Sequence, residues 1–174
     1  MISKHWFWAA GGVLTLAVAS KISGLLSLSS EMEIETSTEV YKMDLLGFEL
    51  RVSVKIKNPT SSSVNISFPF VKIIYRQQGL VNGVKKITET TLTSSQVSSA
   101  TVLIGDRKET TLPNPIIIKG SWLTLGMSVP SAVKEFRKNG RINLVVRTRS
   151  EVVGLGKEII QDQVVTIGNG GEQA

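Results

Sequence analysis

The chain has 174 residues, of which 41% are hydrophobic and 20% charged; this excludes disorder over most of its length and allows one domain of ordinary size plus an appendage. It has no cysteine, which excludes a disulfide framework, a thiol nucleophile and a thiolate metal site, and its one histidine, His5, lies in the N-terminal flank, away from any position where it could serve a nucleophile in the body. The net charge of +6 raises a nucleic acid or an anionic surface as partners, but the densest basic region (Arg137, Lys138, Arg141, Arg147 and Arg149) has hardly any interleaved aromatic residues, so nucleic acid is not an expected partner.

Residues 1–30 read MISKHWFWAAGGVLTLAVASKISGLLSLSS. From Trp6 to Leu28 there is one charge, Lys21, and a helix over that stretch would span roughly 34 Å, about a hydrocarbon core. The segment reads as an N-terminal transmembrane helix. Trp6, Phe7 and Trp8 suit an interfacial belt, and Val13, Leu14, Leu16, Val18, Ile22, Leu25 and Leu26 supply the apolar anchor into a lipid bilayer. Lys4 precedes the run and Glu31, Glu33, Glu35 and Glu39 follow it, which places the N-terminus inside and the following domain outside. A second reading stays open. Ala17-Val18-Ala19 matches a signal-peptidase site, and cleavage after Ala19 would release a soluble, exported module.

From residue 31 onwards the dominant pattern is alternation. Met32, Ile34, Thr36, Thr38 and Val40 alternate with Glu33, Glu35, Ser37 and Glu39; Phe48, Leu50, Val52, Val54 and Ile56 alternate with charged and polar residues. The second is the cleanest strand, with one face for a core and one for water. Val64, Ile66 and Phe68 form a short strand, which Phe70–Tyr75 continues after Pro69 at a bulge or edge. Further runs are predicted at 87–93, 97–104, 116–118, 123–129, 142–150 and 159–167, separated by Asn82-Gly83, Gly105-Asp106, Asn114-Pro115, Gly120, Asn139-Gly140 and Gly154-Leu155-Gly156. One stretch departs from alternation. Pro130 to Gly140 opens with a helix-starting proline, closes with basic residues and glycine, and puts Val133 and Phe136 on one face, predicting a helix of about two turns. Short strands at this spacing, with no βαβ alternation, predict an all-β fold: an immunoglobulin- or fibronectin III-like β-sandwich with one short helix, behind the transmembrane helix.

Asn58-Pro59 interrupts the strand pattern at its strongest point. Proline cannot donate to a ladder, and asparagine bonds its side chain to nearby backbone, so the pair ends a central strand sharply and starts the crossing to the next one. The string VSVKIKNPTSSSVNISFPFVKIIY resembles the late-embryogenesis-abundant type 2 family, also called the water-stress and hypersensitive-response domain, in which an alternating strand leads to Asn-Pro and then a second strand. NPIIIKGSWLTLGMSVP and GRINLVVRTRSEVVGLG resemble later segments of the same family. The resemblance covers roughly residues 31–167, leaving 168–174 as a flexible tail. It implies an all-β sandwich with Asn58 and Pro59 as its fold signature, and it supplies no catalytic residues. Single-domain, membrane-anchored members occur in bacterial envelopes and phages.

The glycine clusters at 154–156 and 168–171 lack the lysine and the strand-to-helix context of a phosphate loop. Glu31, Glu33 and Glu35 alternate on one strand face, the pattern of a solvated edge rather than a metal site. Trp122 is expected to pack in the core or at a sheet end. No cofactor, metal or small-molecule substrate is expected. The reading is therefore a non-enzymatic, membrane-anchored structural protein whose sandwich docks to a neighbouring structural or envelope protein through sheet edges or end loops, in a membrane-containing virus particle or a bacterial envelope.

Overall fold

The computed structural model describes residues 32–168, apart from 45 and 82. In chain order the elements are β1 (Glu33–Met43), β2 (Gly47–Asn58), β3 (Val64–Ser67), β4 (Phe70–Val81), β5 (Val84–Ser94), β6 (Thr101–Ile104), β7 (Lys108–Thr111), β8 (Ile116–Ser121), α1 (Trp122–Ser128), α2 (Pro130–Asn139), β9 (Arg141–Val152) and β10 (Lys157–Gly168). The predicted membrane helix, its anchor set from Trp6 to Leu26, the Ala19 cleavage site and the tail beyond Gly168 lie outside the described residues. Among the described residues no helix is long and apolar enough to cross a membrane.

The alternation in β2 becomes a buried face: Phe48, Leu50, Val52, Val54 and Ile56 are almost fully enclosed, while Glu49, Arg51, Ser53, Lys55 and Lys57 face outwards. Each such aliphatic side chain contributes roughly 1.5–3 kcal/mol by leaving water. β1 pairs antiparallel along one side of β2, and β7 and then β8 pair along the other. The Leu112 N–H donates to the Val54 carbonyl between them, so β7 and β8 are one broken lane. The second sheet is built in the same way. β3 and β4 follow one another along β9, with Ile66 opposite Val152 and Phe70 opposite Arg149. β5 pairs with β4, β6 pairs with β3, and β10 covers the far side of β9. The lanes of this sheet are therefore β5–β6, β3–β4, β9 and β10, set against β1, β2 and β7–β8. All pairings are antiparallel, and residues of both sheets form one apolar core.

Several sequence expectations change here. Residues 123–129, predicted as a strand, form α1. A strand would place Leu123, Leu125, Met127 and Val129 on one face, yet only Leu125 and Val129 are buried, together with half of Trp122. Among the described residues there are thus two helices where the sequence predicted one. α2 runs longer than the expected two turns and ends on Gly140, whose φ of 66° is the left-handed cap that glycine adopts without strain. Phe70–Tyr75 is no edge: β4 lies between β5 and β9. The irregularity expected there sits on the partner strand, where Leu92 is the extra residue opposite Ile73 and Ile74. The run at 97–104 is strand only from Thr101, and β7 was not anticipated from its sequence, Lys-Glu-Thr-Thr.

Candidate interaction surface

The sandwich has two distinct ends. Glu33, at the start of β1, lies opposite Lys57, so the chain enters beside the Asn58-Pro59 turn. Asn58 is a buried polar residue in this otherwise exposed end, and its amide is fully used. Nδ2 donates to the carbonyls of Ser62 (2.8 Å) and Gly105 (2.9 Å), and Oδ1 accepts from the Thr60 N–H (3.1 Å) and hydroxyl (2.7 Å). One side chain thus holds its own turn, where β2 ends, and clamps it to the β6–β7 loop, a long-range contact that the sequence did not suggest. The β9–β10 turn at the same end exposes Val153 and Leu155.

The opposite, distal end carries the β1–β2 turn, α1 and α2. Asp44 organises that turn, its Oδ1 accepting from the N–H groups of Leu46 (2.9 Å) and Gly47 (3.0 Å). The Lys42 ammonium at 3.0 Å, followed by these two N–H groups, holds the Asp44 carboxyl below its usual range. The Trp122 indole N–H donates to the Asp44 carbonyl (2.8 Å), and the Trp122 backbone N–H donates to Leu46. The indole ring stacks on Phe136 (5.0 Å) and meets Phe48 at a tilt (5.2 Å), so it ties β2, α1 and α2 together at the sheet end, as the sequence suggested. Gly47 and Gly120 close the seam. A Cβ on Gly47 would overlap the Gly120 carbonyl, and one on Gly120 would enter the Phe48 ring. A shallow cleft lined by Lys42, Asp44, Glu49 and Lys119 opens beside this seam.

With Trp122, Leu125 and Val129 turned inwards, α1 presents Leu123 and Met127 outwards beside Thr124. Leu123 is 73% exposed and Met127 71%, one helical turn apart, and Leu46, 81% exposed, adjoins them through the Trp122–Leu46 hydrogen bond. α2 has two faces of opposite character. Ala132, Val133 and Phe136 pack inwards, and Glu135 accepts the Tyr75 hydroxyl at 2.7 Å. Burial, reinforced by this carboxylate, pushes the Tyr75 phenol up to about 12. Lys134, Arg137 and Lys138 occupy the exposed side, and Arg141 follows the Gly140 cap.

The basic region seen in the sequence is split by the fold. Arg137, Lys138 and Arg141 stay at the distal end, whereas Arg147 and Arg149 lie on the outer face of the second sheet. There Arg147 binds Asp162 (2.7 Å) and Glu89 (2.9 Å), Arg76 binds the same two carboxylates (2.7 and 2.8 Å), and Arg149 pairs with Glu158. Arg147 reaches from β9 across β4, and Arg76 from β4 across β9, so their stems roof the paired Ile74 and Val145. This is why two outward-facing aliphatic residues are only 3% and 4% exposed. Hydrogen bonds from Arg147 first, then Arg76, hold the Glu89 and Asp162 carboxyls below their usual range.

No family model matches the chain, and no curated protein matches it in sequence. Among solved structures it is similar to the sporulation control protein Spo0M from Bacillus subtilis, at 15% identity and a TM-score of 0.49. That likeness covers 78% of this chain and 48% of Spo0M, so the chain spans about half of that protein's length. It is also similar to a protein from Archaeoglobus fulgidus, at 13% identity and a TM-score of 0.48, covering 80% of this chain and 98% of the other. A candidate late embryogenesis abundant protein solved in solution is similar at 14% identity and a TM-score of 0.38, covering 87% of each chain.

Of the residues singled out in the sequence, Asn58 and Pro59 fall at the entry end. Glu35, raised and set aside as a metal ligand, is occupied by Lys57. The apolar cap of Leu46, Leu123 and Met127 had no sequence signal, because two of its residues sit in a run that alternates like a strand and the third is far away in the chain.

Proposed function

We propose that this is a non-enzymatic structural protein, held at a membrane by residues 1–30, whose β-sandwich docks to a neighbouring protein through its distal end, in a membrane-containing virus particle or a bacterial envelope. One observation carries the reading. The chain enters the domain at Glu33, and the exposed Leu46, Leu123 and Met127 lie at the far end of β1, a strand of 11 residues and roughly 36 Å. A domain tethered at one end and apolar at the other is arranged to join a bilayer to something beyond it. The entry end, with Val153 and Leu155 exposed, is the side turned to the bilayer in this reading.

The lane order, with β1, β2 and β7–β8 in one sheet and β5–β6, β3–β4, β9 and β10 in the other, supports an immunoglobulin- or fibronectin III-like sandwich. Membership of the late-embryogenesis-abundant type 2 family is supported by the VSVKIKNPT motif and by the clamp that Asn58 makes. Domain limits of 31–167 follow from the same reading.

Two measurements test it. The intact mass of the purified chain should begin at Met1; a mass beginning at Ser20 refutes the anchor and favours the exported module. A photo-crosslinking residue at position 127 should trap one neighbouring protein in native membranes or particles, and the same residue at position 153 should trap lipid. Lipid adducts alone at position 127 would remove the docking role.

A further inference from the structure

We infer that the distal end receives an acidic, amphipathic segment of the neighbouring protein, its apolar side chains against Leu123 and Met127 and its carboxylates against Lys134, Arg137 and Lys138. The inference rests on the docking reading above and names the chemistry of the partner.

Two features of α2 point to it. Lys134, Arg137 and Lys138 stand at i, i+3 and i+4, on the side opposite Ala132, Val133 and Phe136, and all three are exposed. Like charges at i and i+4 weaken a helix, and no carboxylate on the same face offsets them, since Glu135 is turned towards Tyr75. The helix dipole favours Arg137 and Lys138 in the last turn, but it gives no reason for Lys134 a turn earlier. Secondly, the outer faces of the two sheets carry built ion-pair networks: Lys55 and Lys57 with Glu35 and Glu109, Arg76 and Arg147 with Glu89 and Asp162, and Arg149 with Glu158. At the distal end Lys42 and Lys119 have Asp44 and Glu49, but Lys134, Arg137, Lys138 and Arg141, with Lys85 and Lys86 at the start of β5, make no ion pair among the described residues. Arg51, Lys72, Arg107, Lys108 and Lys157 likewise make no ion pair among the described residues, but they are spread over both sheets and the entry end, where Glu33, Asp106 and Glu151 also lie, whereas the six distal cations share the end that presents Leu46, Leu123 and Met127. An apolar patch with a cationic rim is complementary to a segment bearing aliphatic residues on one face and carboxylates on the other. A nucleic acid would call for aromatic platforms, but Trp122 and Phe136 are stacked on each other.

The test uses the full-length chain in neutral detergent micelles. The probe is a labelled synthetic peptide with Glu on one helical face and Leu on the other, followed by fluorescence anisotropy. The peptide should bind, and its Glu-to-Gln version should bind far more weakly. Lys134→Glu, Arg137→Glu and Lys138→Glu together should weaken binding by about tenfold or more. The Gln versions of these substitutions should show a smaller loss in the same direction, in case the charge-reversed helix unfolds. Leu123→Ser with Met127→Ser should also weaken binding, with less dependence on salt. A charge-matched control at Lys72, Arg107 and Lys157, each changed to Glu, should bind as the parent does, and melting curves establish that every variant is folded. The inference is overturned if the control loses binding equally. It is also overturned if phosphatidylglycerol vesicles or single-stranded DNA compete the peptide away and themselves depend on the same three cations. Loss of binding in the Leu123/Met127 variant but not in the basic variants overturns the acidic partner and leaves the docking reading standing; position-127 crosslinking tests that reading separately.

Discussion

Replacing Asn58 probes the clamp that joins two loops at the entry end. In Asn58→Ala four hydrogen bonds disappear, two given by Nδ2 and two received by Oδ1. Each is worth about 0.5–1.5 kcal/mol net, which sets a ceiling of about 6 kcal/mol. Thr60 and Ser62 lie near solvent and regain water, whereas the cavity left by a residue 2% exposed does not fill, so the expected loss is about 2–4 kcal/mol. For a domain of this size that corresponds to a fall in Tm of about 10 °C. Asn58→Asp separates the clamp from simple packing. It keeps the shape but turns a carboxylate oxygen towards the Ser62 and Gly105 carbonyls. Their negative ends raise the folded-state pKa above the unfolded value of about 3.9. A carboxyl with a raised pKa is favourable while protonated, so Asn58→Asp should approach Asn58→Ala near pH 3 and fall below it as the pH rises to 7. Urea unfolding at several pH values measures both effects. The reasoning is refuted if Asn58→Ala stays within about 0.5 kcal/mol of the parent and Asn58→Asp shows no added dependence on pH.

Three further outcomes follow from the packing. Val54→Asp places an unpaired charge at a site with no exposure and should abolish the cooperative transition, whereas Lys55→Ala, losing a pair with Glu109 at the surface, should change stability by about 0.5 kcal/mol or less in urea melts. Gly47→Ala should destabilise the chain strongly, because the added methyl meets the Gly120 backbone rather than a side chain that can swing away; a melting curve like the parent's would show that the seam is loose. Glu89 and Asp162 have depressed pKa values in the folded chain. Their contribution is complete above the ordinary carboxylate range and is lost as the pH falls through their lower folded values, so Glu89→Gln with Asp162→Asn should flatten the acid limb of the stability curve while lowering stability at pH 7.

The elements legible in the sequence were those whose environment is set by their own period. β2 and β9 carry one buried face throughout, and α2 announced itself by Pro130, its basic last turn and Gly140. α1 was not legible, because Leu123, Leu125, Met127 and Val129 alternate as a strand would and only the packing of Trp122 against Phe48 and Phe136 decides which of them turns inwards. Nor was the inner position of β4, since strand order depends on partners distant in the chain. Pro69 before it suggested a bulge or an edge, yet β4 is an inner strand and its outward-facing Ile74 is covered by arginine stems from β4 and β9. The same long-range pairing divided one basic stretch into a free cluster at the distal end and a neutralised lattice on the sheet.

The broken lanes bear on crowding. Tethered to a bilayer as proposed above, copies of this β-domain would bring like edges together at high local concentration, the situation in which unpaired strands zip into continuous sheets. Here the β5–β6 border is interrupted between Ser94 and Thr101, the β7–β8 border between Thr111 and Ile116, and β1 carries a bulge at Tyr41. The remaining border, β10, lies against β1, with the Thr38 hydroxyl donating to Gln163 at 2.8 Å. In the proposed membrane-tethered arrangement, neighbouring copies would find the β7–β8 lane broken and the β1 and β10 borders facing each other, which leaves β5, from Val84 to Ser94, as the longest border a neighbour could extend among the described residues.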